Sequence, residues 1–125
     1  MQTLTKLTSS KALMEFIEHF LDSKKAKDIV SINLEGKSAM ADYLVIATGT
    51  SQRQVASMAE LLREELKKKG IRNIHIEGLP QGDWVLVDAG DVIIHLFRHE
   101  IRSYYNLEKM WGMEHLEKNP KATRF

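Results

Sequence analysis

Residues 82–97 read GDWVLVDAGDVIIHLF. Two strand-like runs lie here, WVLVD from Trp84 and VIIHLF from Val92, and Ala89-Gly90 joins them as a tight hairpin. Successive side chains of a strand alternate between its two sides. In the second run Ile93, His95 and Phe97 therefore point one way, while Val92, Ile94 and Leu96 point the other. Both sets are largely apolar, so the sheet that holds this strand needs cover on both faces.

Working outward, NIHIE from Asn73 reads as a further short strand. Before it, Val55, Met58, Ala59, Leu62 and Leu66 recur at helical spacing, which predicts a helix over Ser51 to Lys69. Thr50 or Ser51 can cap its start, Lys67 to Lys69 suit the negative end of its dipole, and Gly70 suits its exit. Two more strand-like runs precede it, DIVSINL from Asp28 and DYLVIATG from Asp42, separated by a turn at Glu35-Gly36-Lys37. Leu13, Phe16, Ile17, Phe20 and Leu21, after the capping candidates Ser9 and Ser10, predict a first helix over 10–24.

Downstream, Glu100 to Trp111 reads as one or two helical turns, and residues 113–125 read as a charged, flexible tail beyond a domain spanning residues 1–112. The expected order is α-β-β-α-β-β-β-α, a single-domain α/β fold with a mixed sheet and flanking helices. Only two of those helices are long. If both pack on one side, part of the opposite apolar face is left open, and such a face marks an interaction site. The alternative is that the terminal helix covers it.

The composition narrows the function. The chain has 125 residues, 43% hydrophobic and 28% charged, enough for one domain with a core and a well-solvated surface. Its 18 basic residues nearly balance its 17 acidic ones, giving a net charge of +1, so bulk charge offers no support for a major phosphate-binding role. Cysteine is absent, which excludes disulfides and thiolate metal sites. The N-terminus lacks the apolar core of a signal peptide, and the longest apolar run, Tyr43 to Ala47, falls far below the ~20 residues that span a bilayer. A cytoplasmic protein without membrane association is expected.

Catalytic motifs fail one by one. His99-Glu100 lacks the second histidine of HExxH, since position 103 is Ser103. His95 and His99 do not converge on a metal, because His95 lies in a strand. It reads as a structural histidine bonded to backbone or a carboxylate. No serine stands in a GxSxG elbow, and neither GxGxxG nor GxxxxGK[ST] occurs. Gly49-Thr50-Ser51 resembles the phosphate-holding turn of nucleotidyltransferases, but those enzymes need a DxD or DxE pair on the next strand. Here that strand offers His75 and Glu77, and Asp88 and Asp91 read as turn formers. A divergent metal-dependent nucleotidyltransferase using Ser51, Glu77 and Asp88 stands as the alternative reading. Tyr104, Tyr105 and Trp111 could stack on RNA bases, yet Glu100 and Glu108 beside them would repel phosphate, so protein contact is favoured.

Three motifs carry a family resemblance. ADYLVIATGTSQRQV from Ala41, GDWVLVDAGDVIIHLF from Gly82, and the pattern of Arg102, Tyr105, Leu107, Glu108 and Trp111 resemble the ribosomal silencing factor family, RsfS or Iojap. Lys25-Ala26-Lys27-Asp28-Ile29 also fits, and the likeness runs over about residues 10 to 112. It implies a nucleotidyltransferase-like fold without that activity, and no cofactor or metal. It implies binding to ribosomal protein number fourteen of the large subunit, which blocks subunit joining and represses translation. The resemblance places Trp84, Val85, Arg102, Tyr105 and Trp111 on the partner-binding surface, with Arg102 pairing a carboxylate and the aromatic rings packing as amphipathic anchors. A minor ribosomal RNA contact and a homodimer are compatible with it. Asp42, Thr48 and Ser51 match motif positions too, with strand entry and helix capping as their simplest roles.

Overall fold

The Ser9 hydroxyl accepts a hydrogen bond from the Ala12 N–H at 3.0 Å and so starts the first helix, α1, Ser10–Ser23. The structure, a computed structural model, describes residues 9–101. Leu13, Ile17 and Leu21 form the buried stripe of α1. The chain then enters β1, Lys27–Asn33, through a β-bulge between Lys27 and Val30. The predicted turn forms at Glu35-Gly36-Lys37, where the Lys37 N–H donates to the Leu34 carbonyl at 2.8 Å. Every residue of β2, Tyr43–Gly49, is buried.

Ser51 is the residue that caps α2, Gln52–Lys68: its hydroxyl accepts from the Gln54 N–H at 3.0 Å. The helix buries Val55, Met58, Ala59, Leu62 and Leu66, the five positions that its periodicity singled out. Three strands follow, β3 His75–Glu77, β4 Trp84–Asp88 and β5 Val92–Arg98. The third is shorter than expected at its start, and β1 and β2 are each displaced by one residue from their predicted starts. The expected hairpin joins β4 and β5, with the Ala89 N–H bonded to the Val92 carbonyl at 3.0 Å.

The sheet is mixed, in the order β1-β2-β5-β4-β3. Strands β2 and β5 pair in parallel, and every other neighbouring pair is antiparallel. Strand β5 thus lies at the centre, which is why both of its faces are apolar. Both long helices pack on one face, against Val45, Ala47, Val85, Val87, Ile94 and Leu96.

The opposite face departs from the open apolar surface considered above. Leu44, Ile46, His95 and Phe97 on it are all buried, and the Leu34–Ala41 loop and Ile101 pack against the same cluster. Among the described residues its margins stay half-exposed, at Trp84 and Leu86 of β4 and at Ile32 of β1. The backbone turns helical at His99–Ile101, and the rest of the expected terminal helix lies outside the described residues.

Candidate docking surface

Trp84 occupies the first position of β4 and pairs across the ladder with Phe97 of β5. Two glycines set its approach. Gly78 and Gly82 both have positive φ, and a Cβ on either would come within 2.2 Å of a backbone oxygen, that of Trp84 or of Gln52. The loop between them therefore lies flat against the start of β4 and against the N-terminal end of α2. Asp83 fastens it, with Oδ1 accepting from Arg98 Nε at 2.6 Å and from Gln52 Nε2 at 2.9 Å. The hydrogen bonds from Gln52 and Arg98 hold the Asp83 carboxyl below the usual carboxylate range.

The Trp84 side chain lies over an aromatic cluster. Its ring centroid is 5.0 Å from that of Phe97 and 5.9 Å from that of His95, and the His95 and Phe97 rings are stacked at 5.8 Å. The indole N–H donates to His95 Nδ1 at 2.8 Å. His95 was expected to bond backbone or a carboxylate, and its Nδ1 instead accepts from an indole. That bond requires an unprotonated Nδ1. Beside the indole, Glu77, Gly78, Trp84 and Leu86 line a surface groove of about 240 Å³.

Burial of His95, at 2% exposure, pushes its pKa down to about 4. An unfolded histidine takes up its proton near pH 6.5, so between pH 6.5 and 4 the unfolded chain binds more protons than the folded one. This contribution to stability is complete above pH 6.5 and is lost as the pH falls towards 4, by about 3 kcal/mol in all. Urea unfolding at pH 7 and at pH 4.5 is expected to show that loss in the wild type and a smaller one in His95→Asn. Equal losses in the two proteins would remove His95 as its source.

Val85 lies elsewhere. It is fully buried on the face that carries the helices, so its side chain offers no surface to a partner. Strand alternation sends it to the side opposite Trp84. Arg102, Tyr105 and Trp111 lie outside the described residues. Sequence reasoning missed Asp83, Arg98 and Leu86 as parts of this surface and the buried Phe97 as its support. The period-two register of Phe97 with His95 was the one signal that could have linked them.

The residues of the nucleotidyltransferase alternative are spread out. The Ser51 hydroxyl caps α2, and Asp88 Oδ1 accepts from the Gly90 N–H at 2.9 Å in the hairpin. Glu77 faces His75 on the exposed edge strand at 2.8 Å. Ser51 follows the end of β2, whereas Asp88 lies level with Ile93 and, through it, Leu44 near the other end. Five strand residues separate those levels, on the order of 16 Å. Among the described residues no three His, Asp or Glu side chains cluster as a metal site would require. No helix among them is long and apolar enough to cross a membrane.

Fold and surface together define a single-domain α/β protein whose distinctive feature is a part-exposed indole on a buried aromatic cluster. Residues 7–124 match the family described as ribosomal silencing factor during starvation, and the chain belongs to that family. A ribosomal silencing factor RsfS of Zymomonas mobilis is 54% identical over 100 residues, covering 80% of this chain and 75% of the relative. A more distant mouse relative, named mitochondrial assembly of ribosomal large subunit protein 1, is 34% identical over 80% of this chain and 45% of its own length. A crystal structure of a Chromobacterium violaceum protein superposes with a TM-score of 0.80 at 34% identity, covering 84% of this chain and 88% of that one.

Proposed function

We propose that this protein is a non-catalytic, cytoplasmic repressor of translation. It binds the large ribosomal subunit through ribosomal protein number fourteen, on the face that meets the small subunit, and blocks subunit joining by occupying that face. The observation that carries the reading is Trp84, half-exposed at the sheet margin beside Leu86 and the groove. A protein interface draws most of its energy from such large amphipathic anchors. Membership of the silencing-factor family supports the ribosomal target, and the name of the mouse relative points to the large subunit.

Light scattering of isolated subunits follows their joining directly. Saturating protein is expected to slow and reduce the association signal, and an unchanged signal would overturn the proposal. The same measurement over a salt series reads the chemistry of the contact. With a net charge of +1, few phosphates are neutralised, so log affinity is expected to fall with log salt no more steeply than about −4. A steeper slope would move the contact from ribosomal protein to ribosomal RNA.

A further inference from the structure

We propose that His95 is the positioning residue of the docking surface: it holds the Trp84 indole in one ring orientation, so that the partner meets carbon and not the N–H. The inference rests on the reading that Trp84 anchors the ribosomal partner. It deepens that reading by naming what sets the anchor and what chemistry the partner must offer.

The need for a positioning group follows from where Trp84 stands. It is the first residue of β4, directly after the Gly78–Asp83 loop, and its side chain is only half-buried. Contact with Phe97 supports one side of the indole, at a centroid separation of 5.0 Å and a tilt of 30°. Apolar contact alone discriminates poorly between an indole and its flipped form, because both present a flat face of similar area. A hydrogen bond discriminates well, since the ring carries its donor on one edge only. With Nε1 at 2.8 Å from His95 Nδ1, a flip would carry the N–H away and leave a buried acceptor without this donor.

His95 is itself well held. It is 2% exposed in the central strand and stacked on Phe97 with the ring planes 17° apart. Its strand neighbour Leu86 lies on the same face as Trp84. A rigid acceptor below and a stacked ring alongside make Trp84 a preformed anchor, which lowers the ordering cost of binding. The bond also occupies the one donor the indole has. The partner's complementary feature is therefore an apolar pocket that takes the ring's carbon edge, with no need of an acceptor for the indole.

The test uses the full chain with ¹⁵N-labelled tryptophan. Two readouts are taken on each variant at a temperature where melting curves show it folded: the indole ¹H–¹⁵N resonance of Trp84, and co-sedimentation with isolated large subunits. Trp84→Phe assigns the resonance. His95→Leu removes the acceptor, and His95→Asn restores an oxygen near the Nδ1 position. Leu is expected to shift the Trp84 resonance towards that of an unbonded indole and to weaken subunit binding about 10-fold. Asn is expected to restore most of both. In a Trp84→Phe background, which has no indole N–H, His95→Leu is expected to add almost nothing to the loss of binding. Equal weakening by His95→Leu in both backgrounds would overturn the positioning role, as would unchanged binding in His95→Leu while Trp84→Ala still weakens it. Unchanged binding in Trp84→Ala would instead overturn the docking reading and this proposal with it.

Discussion

Trp84→Ala is expected to weaken binding to isolated large subunits by about 2–4 kcal/mol, roughly 30- to 900-fold. Truncating the indole removes the largest half-exposed apolar group at the sheet margin, together with the wall it gives to the groove shared with Glu77, Gly78 and Leu86. The same change takes away the donor to His95 and the ring above Phe97, so the fold is expected to lose stability too. A control separates the two effects. Val87 is fully buried on the helix-covered face, so Val87→Ala destabilises the sheet from the side away from the indole. Co-sedimentation at a temperature where both variants are folded is expected to show lost binding in Trp84→Ala and near-native binding in Val87→Ala. Equal losses in the two would assign the effect to stability, and native binding in Trp84→Ala would remove the indole from the interface. Trp111→Ala, compared in the same assay, reads the second tryptophan of the chain.

Phe97→Ala is expected to cost about 3–5 kcal/mol of unfolding free energy. Phe97 has no exposed surface and lies in the central strand in contact with both the Trp84 and His95 rings. Its loss opens a cavity among Leu44, Ile46 and Ile93, which sit in a two-sided sheet and cannot easily collapse into it. Against a total stability of about 5–15 kcal/mol this is a large fraction. A melting-temperature drop on the order of 10–20 °C is expected by calorimetry. A drop of under about 3 °C would mean that the second face holds the sheet together much less than its burial implies.

Much of the local structure was legible in the sequence because it is set by near neighbours. Ser9 and Ser51 cap their helices through bonds to residues three positions ahead, and the buried stripe of α2 follows from a 3.6-residue period. The alternation in Val92 to Phe97 announced a strand buried on both sides, and β5 is that strand. The shortened β3 was not legible. Asn73 and Ile74 carry strand-like neighbours, but β4 pairs only with His75–Glu77.

By itself, then, the sequence determined the order of the elements from α1 to β5, the capping candidates, the hairpin and the family, all of which depend on short spacings or on contiguous motifs. The tertiary structure alone decided the order β1-β2-β5-β4-β3, because pairing β5 with β2 joins segments some fifty residues apart that no local period encodes. The Leu34–Ala41 loop and Ile101, brought from outside the sheet, cover much of its second face. The β4–β5 ladder leaves Trp84 at the margin, sends Val85 into the core and brings His95 within 2.8 Å of the indole. The resemblance set Trp84 and Val85 together as one surface pair. Strand geometry divides them, since adjacent residues of a strand face opposite sides, and only the packing of both helices on one face decides which of the two meets solvent.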